Sequence, residues 1–165
     1  MKSNCVFSAD RRYRYSLHHS IEGLFPTGRL AMFIGLNPST ADEFEPDATI
    51  RIVRNLAIMH GCDSFVMTNL FAFRATDPRE MLRQLDPIGP GNDDILEAWA
   101  GSAAIIVCCW GAWGNHLQRG AKVTKLLARH DLRCLALTSK GMPRHPLRLA
   151  RTNQLLPLPH AAVES

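Results

Sequence analysis

The chain has 165 residues, of which 46% are hydrophobic and 21% charged, and it carries a formal net charge of +4. This is ordinary globular composition with enough apolar side chain for one core; no apolar run approaches a membrane span, and residues 1–10 lack the apolar stretch of a signal peptide, so a cytoplasmic protein without membrane contact is expected. The five cysteines, at 5, 62, 108, 109 and 134, include no C-x-x-C pair, which argues against zinc, an iron–sulfur cluster or a disulfide framework; neither a metal nor a cofactor is expected.

One domain, 1–165, is expected, with an N-terminal strand near 11–18 and a C-terminal tail near 152–165. Residues 12–17 alternate polar and apolar, the pattern of a strand with one solvated face. Pro26-Thr27-Gly28 is a turn signal. It leads into 31–36, a nearly continuous apolar run that reads as a buried strand. The run ends abruptly in Asn37-Pro38-Ser39-Thr40-Ala41-Asp42. Pro38 suits the first turn of a helix, and Ser39 with Asp42 is close to a capping box, so a helical turn with exposed backbone N–H groups is expected there. In an open α/β sheet such a place binds ligands; an ordinary capped turn is the alternative.

After an acidic stretch holding Asp42, Glu43, Glu45 and Asp47, a helix is expected, capped by Asp47 or Thr49. Ile50, Val53, Leu56 and Ala57 keep helical spacing, and Gly61 ends it. Residues 64–69 form a second short apolar strand, which closes on Asn69 and runs into Leu70, Phe71, Phe73 and Arg74. Asn69 either closes the loop through backbone hydrogen bonds or faces a ligand. The two phenylalanines are read as core, lid or base-stacking platform. Met81, Leu82 and Leu85 suggest a short helix. A longer one follows Gly89-Pro90-Gly91, capped by Asn92 or Asp93 and running through Ala100.

Residues 103–109 read as a central strand that ends in Trp110-Gly111, with Gly114 close behind. Both glycines admit positive φ or a close approach. Residues 117–130 are amphipathic, 132–137 are a last strand, and Arg144-His145-Pro146-Leu147 follows a Gly/Pro turn. His145 is either a loop histidine fixed between prolines or a site residue. Arg144, Arg148 and Arg151 are either a solvated basic face or an anion site. The alternation of strands and helices predicts a three-layer α/β/α domain with a mostly parallel central sheet. Parallel strands then bring Asn37, Asn69, Trp110 and His145 to one edge.

These residues carry a resemblance. Leu36 to Asp42, Asp47-x-Thr49, Asn69-Leu70-Phe71 with Arg74, Gly89 with Asn92-Asp93, Trp110-Gly111 and His145-Pro146-Leu147 resemble the bacterial family of domain of unknown function 1643. The strand-end clusters more distantly resemble the uracil-DNA glycosylase superfamily, in the same order. Gly35-Leu36-Asn37-Pro38 is similar to its G-I-N-P motif, Thr68-Asn69 to its base-reading strand end, and His145-Pro146 to its H-P-S-P-L-S motif. The serine of that last motif is absent, and Arg148 falls where the pattern is small and polar.

The resemblance implies a uracil-DNA glycosylase-like fold and a DNA N-glycosylase acting on a modified or mismatched base. Asn37 would then position water and His145 would stabilise the departing base. Such chemistry also needs a carboxylate, which Asp42 or Asp47 would supply, and a stacking wall from Phe71 or Phe44. Ser39, Asn69, Phe71, Trp110 and Gly111 would line the substrate site. Arg74, Arg144, Arg148 and Arg151 would hold phosphates. The expected partner is DNA or a nucleotide. A non-catalytic nucleotide- or base-binding module and a protein-interaction domain are the alternatives.

Overall fold

A computed structural model describes residues 3–23, 26–40, 48–149 and 154–159. Seven strands form one sheet: β1 (Ser3–Phe7), β2 (Arg14–Ser20), β3 (Leu30–Gly35), β4 (Ser64–Asn69), β5 (Ile105–Cys108), β6 (Leu132–Cys134) and β7 (Leu156–Pro157), in the order β1-β2-β4-β3-β5-β6-β7. Four α-helices accompany them among the described residues, α1 (Ala48–Met59), α2 (Pro78–Leu82), α3 (Asn92–Ser102) and α4 (Arg119–Leu126), with 3-10 helices at Ala112–Gln118 and Pro146–Arg148.

The four strands expected from the sequence lie side by side and parallel, as β4-β3-β5-β6. The sheet as a whole is mixed, which corrects the expectation of a mostly parallel one: β1 with β2, β2 with β4 and β6 with β7 are all antiparallel. Connection length accounts for the antiparallel pairings of β1 and β2. A parallel return needs a crossover of about a dozen residues or more, usually helical. Residues 36–63, 70–104 and 109–131 supply that length, whereas 21–29 and the 8–13 turn do not. β2 therefore returns antiparallel, with β4 inserted between it and β3. The expected N-terminal strand is β2, shifted toward the C-terminus of 11–18 because residues 11 and 12 belong to the hairpin turn.

β3 is buried along its whole length. Its side chains alternate between two cores. Met32 and Ile34 pack with Leu96 and Ala100 of α3 and Val123 of α4. Ala31 and Phe33 pack with Ile50, Val53 and Leu56 of α1. Fully burying each such Val, Leu, Ile or Phe contributes about 1.5–3 kcal/mol, so this one strand anchors both outer layers. The Gly111/Gly114 pair does both things expected of it. Gly111 takes φ +78°, and a Cβ on Gly114 would lie 2.0 Å from Cδ1 of the buried Trp110 indole. The helical turn expected after Pro38 does not form at 36–40, which are irregular; the rest of that stretch, 41–47, lies outside the described residues, and the first helix among the described residues is α1.

His19 of β2 is 3% exposed, stacks on Phe65 at 5.0 Å, and has no hydrogen-bond partner on either ring nitrogen among the described residues. Burial, with lesser contributions from His18 and Arg14, pulls its pKa below the usual 6.5.

Two outcomes follow. Gly114→Ala should destabilise the fold by about 3 kcal/mol, the upper end for overpacking, and lower Tm by roughly 6–12 °C for a chain of this size, whereas Gly101→Ala, with open space around it, should not. The neutral His19 contributes stability that is fully present above 6.5 and is lost as pH falls toward its lowered folded value. Thermal melts at about pH 7.5 and about pH 5 should therefore differ less in His19→Leu than in the native chain.

Candidate functional site at the strand ends

The C-terminal ends of the parallel strands carry the polar clusters singled out in the sequence, and backbone hydrogen bonds join them. Leu70 N–H donates to the Gly35 carbonyl, Phe71 N–H to Leu36 and Ala75 N–H to Pro38, each at 2.9 Å. The loop after β4 is thus stitched to the loop after β3. Across β5, Cys109 N–H donates to Ile34, and Gly111 N–H donates to the Pro143 carbonyl at 2.7 Å. Clusters from β4, β3, β5 and the turn after β6 therefore follow one another along one edge.

Asn37 is half-buried, and its Nδ2 donates to the carbonyls of Pro38 (3.1 Å) and Ala75 (2.9 Å). Both amide protons are spent on backbone, so the orientation of the side chain is fixed and Oδ1 is its remaining polar atom. Ser39 is half-buried on the same loop. Asn69 is buried, with Oδ1 standing 2.8 Å from where a Cβ on Gly35 would be, so a side chain at position 35 would displace the Asn69 amide. Phe71 is fully buried and tilts against the half-buried His116 ring at 5.6 Å. Trp110 lies in the core at 3% exposure.

His145 is half-buried, and its Nδ1 accepts from Leu147 N–H at 3.3 Å. In the neutral ring the proton then sits on Nε2, which makes that nitrogen a donor. Arg144 is exposed. Arg74 donates to the carbonyls of Arg11 (3.1 Å) and Thr40 (3.5 Å), so it ties two loops together. Asp42, Asp47, Phe44, Arg151 and the side chain of Arg148 lie outside the described residues.

Three further residues hold this edge in place. Asn92 does not cap α3; Gly91 takes that position with φ +73°, and the buried Asn92 amide donates to the carbonyls of Asn69 and Leu70, both at 3.1 Å. Arg119, 2% exposed, donates from Nε to the same Leu70 carbonyl at 2.9 Å and pairs with Asp93. The signal for Asn92-Asp93 was their place after Gly-Pro-Gly, which local reasoning turns into a helix cap. Arg119 gave no signal, since an arginine at a helix start reads as solvated.

An open groove of about 350 Å³ lies at the opposite end of the sheet, where β5 and β6 begin, and is lined by His60, Ala104, Ile105, His130, Asp131 and Arg133. Arg133 is already paired with Asp131, and His130 accepts from Arg129. In open α/β sheets ligands sit at the carboxyl ends of the strands, so the stitched edge is the better candidate. Among the described residues no group of three His, Cys, Asp or Glu side chains is placed to hold a metal ion, and no helix is long and apolar enough to cross a membrane.

The family model described as Protein of unknown function (DUF1643) matches residues 14–147, and the chain belongs to that family. The match runs from β2 to the turn that carries His145, so it takes in every strand-end cluster. No curated protein and no solved structure matches the chain.

Arg119→Met keeps the volume and removes the donors. It should destabilise the protein by about 1.5–3 kcal/mol, the range for hydrogen bonds from a charged group, read as a lower urea midpoint at unchanged m.

Proposed function

We propose that this family member recognises a nucleobase at the stitched strand-end edge and cleaves its N-glycosidic bond, with DNA as the substrate class. The observation that carries the reading is the pinned Asn37 amide on the same edge as a histidine with a defined tautomer. The ordered resemblance of the strand-end clusters to the uracil-DNA glycosylase superfamily supports it.

The chemistry assigns each group one task. Asn37 Oδ1 accepts a hydrogen bond from water and aims the water oxygen at the anomeric carbon. The bond from that carbon to the base nitrogen breaks, and its electron pair leaves with the base. His145 Nε2–H donates to the base oxygen on which the charge develops. The water proton passes to a carboxylate, Asp42 or Asp47, and finally to the base or solvent. Asn69 and Ser39 offer polar contacts to the base edge, and Arg144, Arg148 and Arg151 offer charge to flanking phosphates.

One observation favours a second reading, a base-binding module without turnover. Both Asn37 donors are consumed by backbone carbonyls, as in a structural loop anchor.

The test is release of free base from oligonucleotides carrying uracil, mismatched thymine, hypoxanthine or a bulky modified base. Native protein should release one of them. Asn37→Ala should lose turnover because the water is no longer aimed, and His145→Ala should lower the rate by about 10²–10³-fold, the effect of one missing oxyanion-type donor, while both retain oligonucleotide binding and a melting temperature within a few degrees. Binding with no release from any oligonucleotide would favour the module; loss of folding in both variants would reduce these residues to loop anchors.

A further inference from the structure

The β1–β2 hairpin carries a basic, ring-backed surface that the strand-end reading leaves unused. Its turn is tightly built. Arg11 N–H donates to the Ser8 carbonyl at 2.9 Å, Ser8 Oγ donates to Asp10, and Arg12 N–H donates to the same carboxylate at 3.1 Å. Arg11 holds φ +57°, a left-handed conformation that a long side chain rarely adopts. The geometry projects Arg11 and Arg12 as an exposed pair at the tip.

Aromatic rings lie beneath these charges. The Arg11 guanidinium carbon sits 3.9 Å from the Phe7 ring centre, and that of Arg74 sits 5.1 Å from the same ring. Arg12 lies over Phe73 at 5.9 Å, and Tyr13 packs on both Tyr15 and Phe73. Arg74 also fastens the tip to the candidate edge, through Arg74 N–H to the Arg12 carbonyl and its guanidinium to the carbonyls of Arg11 and Thr40. Among the described residues, Arg11, Arg12 and Arg74 gather here with the carboxylate of Asp10 in the turn and that of Asp86 acting on Tyr13.

We infer that the hairpin tip, through Arg11 and Arg12 on their aromatic bed, is a second contact for the phosphodiester backbone of a single nucleic-acid strand whose base is presented to the strand-end edge. It adds a binding surface on the β4 flank, across the edge from Arg144. Interleaved arginines and aromatic rings suit a single strand, whose phosphates and unstacked bases they meet together. An anionic membrane or an acidic protein would use the charge but not the rings. The choice of nucleic acid rests on the base-recognition reading; the surface itself does not.

The experiment is binding of the full chain to a labelled single-stranded oligonucleotide of about 12 nucleotides, by anisotropy, from about 50 to about 200 mM salt. Each phosphate contact to a single strand steepens the log–log salt slope by about 0.7. Arg12→Gln should flatten the slope by about 0.7, and Arg11→Asn with Arg12→Gln by about 1.4, with weaker binding at every salt concentration. Asparagine is chosen at position 11 because it tolerates the left-handed backbone, and an unchanged melting temperature verifies the fold.

Slopes and affinities equal to those of the native chain would overturn the inference, as would absence of oligonucleotide binding by the native chain at low salt. Hairpin-dependent binding to anionic vesicles or polyglutamate with none to the oligonucleotide would overturn it too. The two readings fail separately. Base release that is indifferent to both hairpin substitutions removes this surface alone; hairpin-dependent slopes without base release remove only the catalysis.

Discussion

A single backbone carbonyl bears much of this structure. Leu70 C=O, just past β4, accepts from Asn92 of α3 and from Arg119 of α4. A strand end buried under two helices leaves its carbonyls without water, and an unpaired one costs about 1–3 kcal/mol. Two side chains from distant parts of the chain meet that need. Arg119 in turn is buried, and a lone buried guanidinium is untenable, so Asp93 beside Asn92 supplies the counter-charge. The turn is then passed on to β3 through Leu70 N–H and Phe71 N–H. The loop holding Asn37 closes on Ala75, so its geometry is inherited from the helices on the far side of the core.

The rest of the edge follows from close packing. Trp110 follows β5 inside the core because Gly114 and Gly120 leave room for its indole. That places Gly111 where its N–H reaches Pro143 and draws the His145 turn to the sheet. The residues that look most like ligand contacts in the sequence, Phe71 and Trp110, are thus the ones that build the floor beneath the half-buried Asn37, Ser39 and His145.

Charge is distributed on a different plan from packing. The arginines that stand out in the sequence lie late in the chain, whereas the folded hairpin gathers Arg11 and Arg12 with Arg74, more than sixty residues away, over shared aromatic rings. A pairing of that kind depends on β2 lying beside β4, which no local pattern announces.

Periodicity was enough to locate the four parallel strands, the apolar stripe of α1 and the polar punctuation at each strand end, because burial on two faces demands continuous apolar runs and their ends demand turn chemistry. The expected strands at 103–109 and 132–137 shortened to Ile105–Cys108 and Leu132–Cys134, since an apolar run records burial and not ladder pairing. Asn92 read as a helix cap from its neighbours alone; its true partners, the carbonyls of Asn69 and Leu70, lie more than twenty residues back. By itself the sequence determined which segments are buried and which polar clusters follow them, because those are local consequences of side-chain polarity. Only the tertiary structure decided that the sheet is mixed, that Arg119 goes inside and that the hairpin arginines meet Arg74, because strand direction and the pairing of buried polar groups depend on which distant segments the chain brings together.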